Sequence, residues 1–429
     1  MSTSTIPAHG KEMDPRSDGT HFPMGHLDIA TVSDPGPAPI SKGFRQTLWT
    51  ALAIGIILLL LGIKFDSFRL WNSVLVNYFF FLVLGLGGLF LVALEYVAST
   101  TWSVVFRRLA ESAASYLPWA LLLSPLLMLA VPHIYPWARH GFHFHRVAKQ
   151  RYYSQGYFDF RIGLFTAIWA AFGTFFIGRS LRQDREGGQF NAREAKGWGK
   201  LSSKNGRMGA FYIPIFAVTF TLASADWLMS MQGGWSSSMF GVYAFAGMFE
   251  AAFALMIIMA VMMRRRGWLG DIVTDHHYVD LSRMMHAFCI FMVYIGFEQY
   301  FIIWYSNQTD ETAFFHRRLV GGWSWLFLFL LLAKWAVPFV VLMIQKIRTK
   351  EGVVLTMAWL ILIAEYCDVY WLVMPVHYPH FVLPSWPDLG AFLIFFAVFM
   401  LSMTRLLRKH STVPIGDPRL VNSVAGKYL

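Results

Sequence analysis

Ala358–Pro375 reads AWLILIAEYCDVYWLVMP, apolar enough to cross a bilayer, yet it carries Glu365 and Asp368 three residues apart. A carboxylate near the middle of a membrane helix costs ~2.5–3.5 kcal/mol on insertion scales. Side chains three apart share one helical face, so the cost falls on a single stripe. A plain anchor would carry leucine there. What those carboxylates face is the question the rest of the chain has to answer.

Composition sets the class. The chain has 429 residues, 56% hydrophobic and only 14% charged, with a mean hydropathy of +0.47. Soluble domains run near a quarter charged, so the shortfall points to an all-α polytopic membrane protein. Cys289 and Cys367 both sit in apolar runs. They form no zinc, iron–sulfur or haem-attachment pattern. The first 43 residues include the loop-forming DPGPAP (Asp34–Pro39) and contain no apolar signal core. No cleavable signal peptide is therefore expected, and this tail should stay mobile until it meets a partner.

Apolar runs long enough for ~30 Å of hydrocarbon recur ten times. They lie near Phe44–Ile63, Ser73–Tyr96, Tyr116–Tyr135, Phe160–Gly178, Met208–Ser230, Ser237–Met263, Met284–Tyr305, Trp323–Ile344, Val353–Met374 and Leu389–Leu407. The third is punctuated by Pro118, Pro125, Pro132 and Pro136, tolerable where neighbours satisfy the freed carbonyls. Ten spans put both termini on one side. That side holds 26 of the 36 Lys and Arg, the other holds 9, and Lys334 lies within a span. The positive-inside rule then places both termini in the cytoplasm. The formal charge of +11 thus follows topology and lipid headgroups, and nucleic acid is not an expected partner. Trp49, Trp71, Trp102, Trp137, Trp235, Trp323 and Trp386 cluster at span ends as an interfacial belt.

Spans two to five and six to nine have equal parity, which allows a parallel four-helix repeat. Span five ends in ASADWLM (Ala223–Met229), and span nine carries Asp368 followed by Trp371 and Met374. Six units follow from this layout: a tail 1–43, span one within 44–72, bundles 73–236 and 237–388, span ten at 389–407, and a tail 408–429.

Polar groups inside the spans concentrate in the second bundle. Glu95 and His286 fall on the cytoplasmic half, Glu250, Lys334 and Glu365 near mid-membrane, and Glu298, Asp368 and Asp226 toward the outside. A file from His286 through Glu250, Lys334 and Glu365 to Glu298 and Asp368 has the exchangeable protons of a relay. Tyr294, Tyr300, Tyr366 and Tyr370 can bridge gaps in it. The bland alternative is that Lys334 pairs with one carboxylate and pins helix packing.

A second constellation is His133, Asp159, Arg161 and Asp226 at the outer ends of spans three to five. A His and a carboxylate at a membrane surface can accept protons from a quinol headgroup. The ordinary reading is polar residues at span ends that see water. HGFHFHR (His140–Arg146) in the loop after span three lacks a nearby Cys or carboxylate and reads as a docking loop rather than a metal site. The basic loop Gly178–Arg207 lacks a phosphate-binding GxxxxGK[ST]. Facing histidine pairs for haem b are not apparent, so no redox metal of the chain's own is expected.

SADWLMS (Ser224–Ser230), GWSSSMFG (Gly234–Gly241), the ten-span layout and the acidic file together resemble the polysulfide-reductase membrane-subunit (NrfD-like) family. Within it, the likeness is to the membrane subunits of alternative complex III, a bacterial quinol:cytochrome c or quinol:oxidase complex. It covers nearly the whole chain after the N-terminal tail. The resemblance implies two four-helix bundles, spans two to five and six to nine, with spans one and ten peripheral. It implies partners that include a homologous membrane subunit, an iron–sulfur protein and multihaem cytochromes c, in which the haems and clusters reside. Menaquinone or ubiquinone would be the mobile cofactor. Related subunits oxidise quinol with a His and an Asp, and His133 and Asp159 stand at comparable places. Two other classes compete: a secondary transporter with a midplane site at Lys334 and Glu365, and a structural anchor.

Overall fold

The computed structural model describes residues 34–138, 147–186, 195–233, 235–270, 272–417 and 419–424. Residues 1–33 of the expected tail, His140, His143 and His145 of the docking loop, and Gly234 lie outside them.

Among the described residues, ten helices are long and apolar enough to cross a membrane. We number them α1 (Lys42–Phe65), α2 (Ser67–Ala98), α3 (Val104–Ile134), α4 (Gln155–Glu186), α5 (Ser203–Met231), α6 (Phe240–Arg265), α7 (Asp275–Ser306), α8 (Trp323–Met343), α9 (Glu351–Val376) and α10 (Trp386–Lys409). Each contains the corresponding apolar run or nearly so, usually with an added polar turn at an end. The protein is an all-α polytopic membrane protein, and among the described residues there is no strand.

The helices close into two rings. In the first, α2 packs on α3, α3 on α4, α4 on α5 and α5 back on α2. In the second, α6 packs on α7, α7 on α8, α8 on α9 and α9 back on α6. The rings meet where α2 lies against α6 and α9, and α2 is buried along its apolar length. Small residues permit this approach. A Cβ at Gly87 would lie 2.5 Å from Ala252 Cβ on α6, and one at Gly88 would lie 2.5 Å from the Ala110 carbonyl of α3. Helices α1 and α10 pair with each other outside the rings, and α10 rests on α2 and α3.

Helix starts follow capping chemistry. Ser41 accepts a bond from Phe44 N at 3.1 Å. Ser385 and Asp388 form a reciprocal capping box ahead of α10. Asp388 also pairs with Arg69 (Nη2 to Oδ2 2.7 Å) and accepts from Ser73, tying α10 to α2.

Helix α3 departs from the expected Tyr116–Tyr135. It begins a dozen residues earlier, and the chain turns at Ser115 and Tyr116 before Pro118 starts a second helical segment. The early segment carries Arg107 and Arg108, both buried. Arg107 pairs with Glu95 and with Asp417, each at 2.5 Å. Arg108 pairs with Glu111 at 2.5 Å and with Asp184. Two charges that fall outside the expected apolar runs are thus the centre of a buried ion network.

That network lies where the first and last described segments of the chain meet. Thr412 N donates to Gly36 O at 3.1 Å, and Ala38 N to Leu407 O at 2.9 Å. Asp417 is held by Arg107 and Arg419. Burial alone would raise its pKa, but the two guanidiniums outweigh that and hold the carboxyl below its ordinary value.

Candidate functional site

The carboxylates of the opening stretch face a lysine. Lys334 Nζ on α8 lies 2.5 Å from Glu365 Oε2 and 2.7 Å from Asp368 Oδ2 on α9. All three are at most 5% exposed. Lys334 is eleven residues from the start of α8, about 16 Å along the axis, near mid-span.

Local sequence builds this geometry. Pro338 has no N–H to give to the carbonyl four residues back, which is that of Lys334. The helix answers with a π-helical turn over Leu331–Ala336, a form that favours functional positions. The Lys334 carbonyl is taken up instead by Cys289 Sγ of α7 at 3.0 Å.

Helix α6 supplies the opposite wall. Tyr243, Gly247 and Glu250 recur at spacings of four and three, on one stripe. The Tyr243 hydroxyl donates to both oxygens of Asp368, at 2.8 and 2.9 Å. Gly247 leaves room for Glu365: a Cβ there would stand 2.9 Å from each carboxylate oxygen. Glu250 is fully buried, within electrostatic range of Lys334, Glu365 and Asp368. Neither of its oxygens has a hydrogen-bond partner among the described residues.

Three carboxyl groups therefore share one ammonium. Full ionisation would leave two uncompensated negative charges in a low-dielectric interior, which is costly. Moving a proton between these carboxyl groups would need only small side-chain rearrangements.

The expected file is only partly assembled. Glu250, Lys334, Glu365 and Asp368 come together. Glu298 is half-buried on α7, with no hydrogen bond or ion pair to the cluster among the described residues. His286 packs its ring against Phe339, 5.5 Å away, on the terminal side of the Cys289 contact. Glu95 belongs to the ion network at the chain ends.

The outer constellation of the first ring is also divided. Arg161 Nε donates to Asp226 Oδ2 at 2.6 Å, and its guanidinium stacks 3.8 Å from the Tyr152 ring. Burial and the Asp226 carboxylate push the nearby Tyr153 hydroxyl up to about 12, so it stays neutral. His133 stands elsewhere, exposed and stacked on Trp71 at 5.4 Å. Asp159 is half-buried, and one of its oxygens has no partner among the described residues.

Sequence reading passed over Tyr243, although its place seven residues before Glu250 put it on the same face. It also passed over Arg318, fully buried between α7 and α8. Arg318 donates to Gln232 Oε1 (3.1 Å) and to the carbonyls of Phe314 (2.9 Å) and Leu372 (2.7 Å).

A half-enclosed cavity of about 570 Å³ lies inside the second ring. Tyr243, Lys334 and Asp368 contribute to its wall, and aromatic and aliphatic side chains form nearly all the rest. Among the described residues, no group of three or more His, Cys, Asp or Glu is placed to hold a metal ion.

Fold and site together define a class, a polytopic helical membrane protein with an ionisable cluster buried at mid-span of its second four-helix ring. No protein-family model and no curated protein matches the chain.

Proposed function

We propose that this chain is the proton-conducting membrane subunit of a quinol-oxidising electron-transfer complex, with no redox centre of its own. The observation that carries the proton role is the Lys334–Glu365–Asp368 cluster with Glu250 beside it, buried where a purely structural helix would carry leucine. The assignment to a quinol-oxidising assembly, and to the F subunit of alternative complex III in particular, rests on the sequence resemblance. In that setting the membrane is the bacterial cytoplasmic membrane, and the positive-inside bias puts both termini in the cytoplasm.

Mechanistically, Glu250 stands on the terminal side of the Lys334 cluster and Tyr243 on the opposite side, since α6 runs back toward the terminal face. A proton arriving at Glu250 would pass to the Lys334–Glu365–Asp368 group, and Tyr243 would carry it outward through its hydroxyl. A shift of α8 at its π-helical turn would change which carboxylate holds the ammonium. That is the bistable element through which a redox partner would act.

Purification in mild detergent tests the assignment. Haem-containing cytochromes and an iron–sulfur protein should accompany the chain in fixed ratio. Solute uptake by the chain alone in liposomes would overturn the proposal in favour of a secondary transporter.

A further inference from the structure

We infer that Arg318 is an electrostatic barrier that closes the proton path beyond Tyr243, on the far side of the Lys334 cluster from Glu250. The inference rests on the proposed function for the existence of that path and adds what keeps it from leaking.

Six Arg and Lys side chains are buried among the described residues. Arg69, Arg107, Arg108, Arg161 and Lys334 each form an ion pair with an Asp or Glu. Arg318 is 1% exposed and, among the described residues, has no carboxylate within ion-pairing distance. Its acceptors are the neutral oxygens of Gln232, Phe314 and Leu372. Its guanidinium also lies 3.7 Å from the centre of the Phe314 ring, and its Nε has no hydrogen-bond partner among the described residues. Carbonyl oxygens and a ring face steady a cation without cancelling its charge, and an arginine side chain stays protonated inside proteins. An uncompensated buried charge is costly. A side chain needed only to join three segments could be an uncharged donor, so the retained charge points to a role.

Position supplies that role. Leu372 is four residues past Asp368 on α9, about 6 Å along the axis, so the guanidinium sits one helical turn beyond the cluster. It is within electrostatic range of Tyr243, whose hydroxyl donates to Asp368. The Trp371 indole N–H donates to the Arg318 carbonyl at 3.1 Å and fixes the connector against the same turn of α9. A proton moving past Tyr243 meets an unneutralised positive charge in a low-dielectric interior, where repulsion is strong. On the Glu250 side no buried unpaired cation stands among the described residues. The cluster therefore exchanges protons more readily through Glu250 than past Tyr243, and opening the far end requires a counter-charge at Arg318.

The test is passive proton entry into liposomes that hold the full chain, driven by a valinomycin–potassium potential and read with an internal pH dye. Gln232→Glu keeps an acceptor for Arg318 and supplies the missing counter-charge. It should raise proton entry about tenfold, the scale set by one unit charge roughly 10 Å away at an effective dielectric constant of about 20. Its thermal stability should hold or rise, whereas a purely structural Arg318 predicts that gain without the leak. Arg318→Gln should leak to the same degree, and it keeps the test open if Gln232→Glu fails to fold. Adding Asp368→Asn to either variant should return entry to the parental rate, because the leak runs through the cluster. Parental entry in a folded Gln232→Glu or Arg318→Gln variant, or a leak that survives Asp368→Asn, would overturn the inference. The proposed function fails separately: a cluster-dependent leak from a chain that no cytochrome accompanies would remove the complex assignment and leave the barrier standing.

Discussion

Gly247 on α6 faces Glu365 on α9 so closely that a methyl group on the glycine would stand 2.9 Å from both carboxylate oxygens. The glycine is therefore part of the ion cluster, although it carries no polar side chain. Gly247→Ala should push the Glu365 carboxylate away from Lys334. Because the displaced group is the end of a flexible side chain, thermal stability in detergent should change by less than about 1 kcal/mol. Proton translocation should fall severalfold. Equal loss of both would reduce Gly247 to a packing residue.

Lys334 is the only cation within hydrogen-bonding distance of Glu365 and Asp368 among the described residues. Lys334→Met should destabilise the protein by about 3–5 kcal/mol, the range for stripping one partner from a buried ion pair. Adding Glu365→Gln and Asp368→Asn to it should recover much of that loss, because no unpaired charge then remains. Denaturation of the single and triple variants measures the difference.

The π-helical turn makes a sharper claim. Pro338→Ala restores the N–H that can reach the Lys334 carbonyl, so α8 should straighten and turn Lys334 from its partners. The expected outcome is a protein of equal or greater thermal stability with impaired proton transfer. Cys289→Ala removes the thiol now serving that carbonyl and should cost about 1 kcal/mol. If Pro338→Ala left transfer intact, the turn would be incidental.

The ends of the chain carry a pH prediction. Asp417 is buried against Arg107 and Arg419, which hold its pKa below the ordinary value. Its stabilisation is then fully present above the unfolded carboxyl value of about 3.9 and is lost as pH falls through the lower folded value. Asp417→Asn should be about 3 kcal/mol less stable than the parent near neutral pH. That gap should close only in strong acid, below about pH 4. A gap that closed between pH 5 and 6 would contradict the ion pairing.

The number of spans was legible because membrane helices are written in composition: twenty apolar residues have few other uses. The two rings also carry ion pairs between corresponding helices. Arg161 on α4 pairs with Asp226 on α5, as Lys334 on α8 pairs with Asp368 on α9. The second pair sits deeper, about 16 Å from the start of its basic helix against about 9 Å for the first. Partner choice was not legible. Arg107 finds Asp417 across most of the chain, and nothing local marks either residue as buried. Hydropathy left Arg107 and Arg108 outside the apolar runs because it scores a charge without seeing its counter-charge. Glu298 was placed in the file by depth alone. The facing of α7, set by its packing on α6 and α8, leaves it aside.

The claim that the Lys334 cluster conducts protons is tested most directly by the proton-to-electron ratio of the intact complex in proteoliposomes, with Glu365→Gln, Asp368→Asn and, as a control, Asp226→Asn. The account predicts that both second-ring variants assemble, turn over quinol and translocate fewer protons per electron, while Asp226→Asn keeps the parental ratio. Parental ratios in both Glu365→Gln and Asp368→Asn would contradict it and leave the cluster as a structural lock.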